Sequence, residues 1–187
     1  PGATLALEGT VEADWEKNID GGQLKCGAPM VIRGTFSVGT RAYANPYTTI
    51  TVENGGSLVM NGSSYFAGHS FTVKSGGRVI NNSRMAFGTG NTITVEDGWD
   101  SAWTQGPNAT AEVNRGIYLY SNDNAAAAIQ TAIAEVTGSL PEFFSYVVYV
   151  YREDGGERIE LTQDLTIPAG VELAFYDEGV TTYIAEG

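Results

Sequence analysis

Apolar and polar residues alternate in short bursts through the middle of the chain, and the bursts recur. Ile50-Thr51-Val52-Glu53-Asn54-Gly55 returns as Phe71-Thr72-Val73-Lys74-Ser75-Gly76 and again as Ile93-Thr94-Val95-Glu96-Asp97-Gly98, at offsets of 21 and 22. A looser fourth copy reads Leu165-Thr166-Ile167-Pro168-Ala169-Gly170. Alternation with period two predicts strands, with Ile50 and Val52 on one face and Thr51 and Glu53 on the other. Laid against residues 71–91, residues 50–70 put Leu58 on Val79, Val59 on Ile80, Phe66 on Phe87 and Asn61 on Asn82. The pair Gly55-Gly56 falls on Gly76-Gly77. Each copy holds three β-prone runs, as at residues 50–53, 57–60 and 65–67, with Gly, Asn or Ser between them. Three strands and three turns per repeat predict one coil of a parallel solenoid, its coils stacked at about 4.8 Å. Ile50, Val52, Phe71, Val73, Ile93 and Val95 are the expected buried set. Outside, Thr51, Thr72 and Thr94 should form one column and Glu53, Lys74 and Glu96 the next. The second column alternates in sign, so stacked neighbours attract.

Beyond residue 121 the pattern changes. Residues 125–136 are Ala-rich, and Ile129, Ala132, Ile133 and Val136 recur at helical spacing on one narrow face. A helix over about 124–137 is predicted, with N-cap candidates Asn122, Asp123 and Asn124 and with Gly138 to end it. An open solenoid end exposes unpaired backbone, and a small flat stripe suits covering one, so the helix reads as a cap. A strand follows over 144–151, with Tyr146, Tyr149 and Tyr151 interleaved with Val148 and Val150. Asp154-Gly155-Gly156 reads as a hairpin-like turn into a strand at 159–162 and then the fourth copy. The expected fold is therefore all-β: a single-stranded parallel β-helix of 21 to 22 residues per coil over 1–121, then a capping helix and β-layer over 122–187.

The run Leu165 to Leu173 after an Ala-rich helix, with the coil body at 50–98, resembles secreted bacterial surface proteins of the pectate-lyase-like, right-handed parallel β-helix family. The resemblance covers roughly half the chain, and its motif is structural. It implies the right hand and an extracellular or cell-surface setting of Gram-positive type. Members include polysaccharide lyases, glycosidases, adhesins and architectural stalks, so no catalytic residue is carried over. Pro1-Gly2-Ala3-Thr4-Leu5 resembles Ala169-Gly170-Val171-Glu172-Leu173, and neighbouring segments of a longer repetitive chain are expected beside this one.

Charge narrows the partners. With 22 acidic and 10 basic side chains the chain carries −12, which repels phosphate backbones and anionic lipid, so neither nucleic acid nor membrane insertion is expected. No apolar run approaches the roughly 18 residues of a spanning helix. Cys26 stands alone, which excludes an intrachain disulfide and a thiolate cluster.

Candidate chemistry is sparse. A lyase needs a base beside a cation-neutralised carboxylate, and Asp97 and Asp100 with Arg84 and Lys74 are the nearest material. A glycosidase needs two carboxylates across a sugar bond, and no pair is singled out. His69 is the sole histidine and reads as a corner residue. No cofactor is called for. Asn122-Asp123-Asn124 could offer oxygens to Ca²⁺, but capping explains them. The Thr-x-Thr pairs at 49–51 and 92–94 read as β-propensity and hydroxyl ladders. The best binding hint is the segment 97–116, which leaves the coil register and carries Trp99, Trp103, Gln105, Asn108 and Arg115. Indole faces stack on sugars while amide and guanidinium groups bond hydroxyls; the competing reading folds both Trp over the coil edge. The sequence thus points to a non-catalytic extracellular module, adhesin-like or architectural, with carbohydrate or another surface protein as partner. The alternative is a polysaccharide lyase or glycoside hydrolase fragment acting on acidic polysaccharide.

Overall fold

The computed structural model describes residues 5–8, 10–13, 22–24, 28–39, 42–44, 48–67, 70–120, 124–138, 140–152, 158–176 and 181–184. His69, Asn122, Asp123 and the turn at 154–156 lie outside these. The chain divides into two compact units, Pro1–Glu112 and Val113–Gly187.

In the first unit short strands follow one another in threes. They are β1 (Leu5–Leu7), β2 (Thr10–Ala13) and β3 (Gly22–Leu24); β4 (Met30–Ile32), β5 (Thr35–Val38) and β6 (Ala42–Ala44); β7 (Ile50–Val52), β8 (Ser57–Met60) and β9 (Ser63–Phe66); β10 (Ser70–Val73), β11 (Arg78–Asn81) and β12 (Arg84–Gly88); then β13 (Thr92–Val95). A four-residue helix, α1 (Trp99–Ala102), precedes β14 (Trp103–Gln105). β15 (Thr110–Leu119) runs across the boundary between the units.

Every third strand pairs. One sheet has the order β1-β4-β7-β10-β13, a second β14-β11-β8-β5-β2, and a third contains β12-β9-β6-β3. All the described pairings are parallel and unslipped: Ile50 faces Phe71 and Phe71 faces Ile93, Leu58 faces Val79, and Phe66 faces Phe87. The expected β-rich, parallel character is therefore present. A one-residue slip would turn every apolar side chain outward, so the buried face holds the register.

That face is apolar and aromatic. Ile50, Val52, Phe71 and Val73 are buried, as are Met30, Ile32, Phe36, Leu58 and Val79. Phe66 stacks on Phe87 with centroids 5.0 Å apart, and Phe71 meets each ring edge-on at 5.3 Å. Outside, Thr51, Thr72 and Thr94 share one register position. Beside them Ser70 Oγ donates to Thr49 Oγ1 at 3.2 Å, and at the ends of β8 and β11 Asn82 Nδ2 donates to Asn61 Oδ1 at 2.8 Å.

The charged column is longer than the repeat phrase suggested. It follows Leu7, Ile32, Val52, Val73 and Val95, which are register partners, so its members are Glu8, Arg33, Glu53, Lys74 and Glu96. The sign alternates at each step. Arg33 Nη1 lies 2.9 Å from Glu8 Oε1, and Lys74 Nζ lies 2.6 Å from Glu96 Oε1.

Two details correct the expectation. Ile93 and Val95 are only half-buried, because β13 is the last strand in its sheet and its apolar face is covered from one side. The repeat also breaks after Gly98. In the first and second copies, Gly56 and Gly77 admit no side chain: a Cβ on Gly56 would sit 2.2 Å from Ile32 O, and one on Gly77 2.7 Å from Val52 O. Trp99 holds that place after Gly98 and opens the turn into α1 instead.

The second unit is built differently. Helix α2 (Ala125–Val136) is followed by β16 (Phe144–Arg152), β17 (Arg158–Leu161), β18 (Val171–Tyr176) and β19 (Thr181–Ile184). Asn124 caps α2, its Oδ1 accepting from Ala127 N at 3.1 Å. Gly138 does not end it; Thr137 turns extended with φ −67° and ψ 141°. Ile129, Ala132, Ile133 and Val136 are buried, together with Ala125 and Ala126, against Leu119, Val148, Val150, Leu161 and Val171. The helix is thus neither free nor solvated on its stripe: it covers one face of a sheet with the order β18-β16-β15. β16 pairs with β18 and β17 with β19, both parallel. Among the described residues β17 has β19, and not β16, as its partner.

Candidate functional site

The five residues singled out in segment 97–116 do different jobs. Trp103 sits on β14 opposite Val79, in the buried column of Phe36, Leu58 and Val79. It is 6% exposed, meets Phe71 edge-on at 6.3 Å and lies 5.5 Å from the half-buried Trp99. Its indole N–H donates to Gln105 Oε1 at 2.9 Å. Gln105 Oε1 also accepts from Asn81 Nδ2 at 3.1 Å, and that nitrogen donates again to Thr110 O at 3.0 Å. Asn81 is completely buried and its Oδ1 accepts from Ser83 N. The Gln105 amide therefore satisfies two buried donors that would otherwise be costly to leave unpaired. Asn108 is exposed in a turn. Arg115 belongs to the second unit, where its Nε lies 2.9 Å from Glu135 Oε2. The structure gathers Trp99, Trp103 and Gln105 around the core edge. The ring of Trp103 offers no face to a ligand.

The acid and base material is likewise occupied. Arg84 Nη2 is ion-paired with Glu112 Oε1, and Glu112 is almost fully buried. Glu96 accepts from Lys74 Nζ and, through Oε2, from Ser75 N at 3.1 Å; Asp97 Oδ2 accepts from Gly76 N at 2.8 Å. These bonds hold both carboxyls below their ordinary values: for Glu96 the Lys74 hydrogen bond first and the Ser75 amide next, for Asp97 the Gly76 amide. The same partner raises Lys74, first through its hydrogen bond to Glu96. Both acids are thereby tied to the turn at Ser75 and Gly76. Asp100 is exposed on α1. Among the described residues no group of three or more His, Cys, Asp or Glu side chains is placed to hold a metal ion. No described helix is long and apolar enough to cross a membrane.

A different surface carries exposed aromatic groups. In the second unit the α2-facing residues of β15 and β16 include Leu119, Val148 and Val150. Alternation sends Tyr118, Tyr149 and Tyr151 to the opposite face. There Tyr118 stacks on Tyr151, centroids 5.0 Å apart and rings 22° from parallel. A Cβ on Gly116 would lie 3.3 Å from Tyr151 Cε2, so the glycine makes room for that ring over β15. Tyr118 is 58% and Tyr120 53% exposed. Tyr146, which the sequence grouped with Tyr149 and Tyr151, packs instead with the α2 cluster, its hydroxyl accepting from Leu140 N at 3.3 Å. The run 146–151 was thus a two-faced strand, a point its parity already contained.

No family model, curated protein or solved structure matches this chain.

Proposed function

We propose that this chain is a segment of a right-handed parallel β-helix from a secreted or cell-surface bacterial protein of pectate-lyase-like type, and that it acts as a non-catalytic adhesive or architectural module holding carbohydrate. The observation that carries the reading is the strand order: every third strand pairs, in parallel and in register, with five strands in each of two sheets. A chain that spends each turn on one more identical layer builds length and lateral surface, which is what a stalk or adhesive face requires. The closed pairings of Arg84 with Glu112 and of Lys74 with Glu96 support the non-catalytic side. These groups are the nearest to lyase chemistry, and each is committed to its partner.

A glycan array with the purified chain tests the reading, followed by an ultraviolet assay for unsaturated product on acidic polysaccharides. Retention on glycans without product absorbance is the expected result. Time-dependent absorbance from the purified chain would overturn the non-catalytic reading in favour of a lyase, and a blank array would remove carbohydrate as the ligand.

A further inference from the structure

We infer that the tyrosine face of the second unit, centred on Tyr118, Tyr120 and Tyr151, is the binding surface for a neutral polysaccharide. This rests on the carbohydrate reading above and assigns it a place that the segment 97–116 does not supply.

Three features point there. First, the plate is built rather than incidental. Gly116 omits a Cβ that would lie 3.3 Å from Tyr151 Cε2, and Tyr118 lies on Tyr151 nearly parallel. Stacking fixes the Tyr118 ring before any ligand arrives, which lowers the ordering cost of binding. Second, the plate is open. More than half of the surface of Tyr118 and of Tyr120 is accessible, while the apolar side chains of the opposite face are covered by α2. Tyr118 lies on the face opposite Leu119, and Tyr120 follows directly after the last residue of β15. A polymer can therefore lie over both phenols, its apolar C–H faces against the rings and its hydroxyls at the phenol oxygens. Third, charge selects the polymer. The chain carries −12, so its field repels an anionic glycan. Arg152 falls on the other parity of β16 from Tyr151, away from the plate.

Affinity electrophoresis tests the assignment, with soluble galactomannan, xyloglucan and mixed-linkage β-glucan as neutral probes and polygalacturonate as the anionic one. The wild-type chain should be retarded by at least one neutral polymer and not by polygalacturonate. The double variant Tyr118→Ala, Tyr120→Ala should lose at least tenfold in apparent affinity at unchanged melting temperature, because both rings are exposed. Tyr118→Trp should keep binding. Retardation of the double variant equal to wild type overturns this surface while leaving the carbohydrate reading intact, with the ligand elsewhere. No retardation of wild type by any neutral polymer overturns both. Sedimentation showing wild-type self-association that the double variant abolishes would make the face a protein contact and overturn the inference.

Discussion

The phrase that ends at Gly76 and the phrase that ends at Gly170 are nearly the same words, yet only one of them is a strand. In the first, Phe71-Thr72-Val73 lies between β7 and β13 with Phe71 and Val73 fully enclosed. In the second, Leu165 to Pro168 form no strand, Ile167 is 50% exposed, and extended structure starts only at Val171. The turn survives in both: Gly76 and Gly170 have φ of 78° and 81°, and Val171 N donates to Pro168 O as Gly77 N does to Lys74 O. One difference lies in the backbone. Glu53 N, Lys74 N and Glu96 N each donate to the strand before, onto Ile32 O, Val52 O and Val73 O. Pro168 occupies that position in the fourth copy and has no N–H to give. The turn is a local property of Gly at the left-handed position, whereas the strand depends on a partner and on the donor that ties it there.

The largest expected effect separates the two copies directly. Val73→Asp should abolish the cooperative melting of the first unit, because an unpaired charge would enter the stack. Ile167→Asp, at the matching place in the fourth copy, should change stability by less than about 0.5 kcal/mol. Equal losses from the two, read by thermal denaturation, would show that the fourth phrase is packed like the first three.

Trp103→Ala comes next. As a buried ring in the Phe36, Leu58 and Val79 column it should cost about 3–5 kcal/mol, and the loss should appear in the melting of the chain. Near-native stability would put the ring outside the stack and return the indole pair to the ligand reading.

The second glycine sharpens the comparison further. Gly56→Ala places a methyl against Ile32 O and should cost about 1–3 kcal/mol as overpacking. The equivalent place in the fourth copy is Val171, which already bears a side chain. Its substitution by Ala should therefore act only through lost packing against α2, with denaturant titration separating the two cases.

The smallest effect is electrostatic. Glu96 and Asp97 have folded values below their ordinary 4.5 and 3.8. Their contribution is present above those values and is lost as pH falls through the lowered folded ones. Lys74 has a folded value above 10.5, so its share is present below that pH and is lost only as pH rises through the raised value. All three are exposed and screened. A melting curve followed from neutral to acid pH should show a modest decline at the acid end, reduced in Glu96→Gln. An unchanged slope in that variant would remove the ladder from the stability of β13.

Much of the first unit was legible because its signal is repetitive. Leu58 over Val79, Phe66 over Phe87 and the Lys between two Glu all follow from one offset. The helix was legible for the same reason on a shorter scale, its stripe being periodic. What escaped is where periodicity stops. Arg33 and Glu8 lie in copies too divergent to align, so the charge column was read at three members. Ile93 and Val95 belong to the phrase, but the phrase does not say that β13 is last. Trp103 falls 24 positions after Val79, where Val79 falls 21 after Leu58, because α1 intervenes, and its column was hidden by that shift. The candidate site was less legible still. Trp99 and Trp103 attracted notice by residue type, while the exposed tyrosines were dispersed over β15 and β16 and met only through the strand pairing. Gly116, which shapes that plate, carries no local signal at all.

The charge column has an odd number of members, and parity has a consequence for growth. A row that alternates through Glu8, Arg33, Glu53, Lys74 and Glu96 begins and ends on the same sign. β1 and β13 lie at opposite edges of one sheet, so a second copy joining β13 to β1 would set Glu96 beside Glu8, like facing like. Unpaired strand edges invite other strands, and among the described residues the two outer strands of this sheet carry matching charges. A strand bearing Lys or Arg at that position would instead be attracted, so the column favours an unlike neighbour over a second copy in that register.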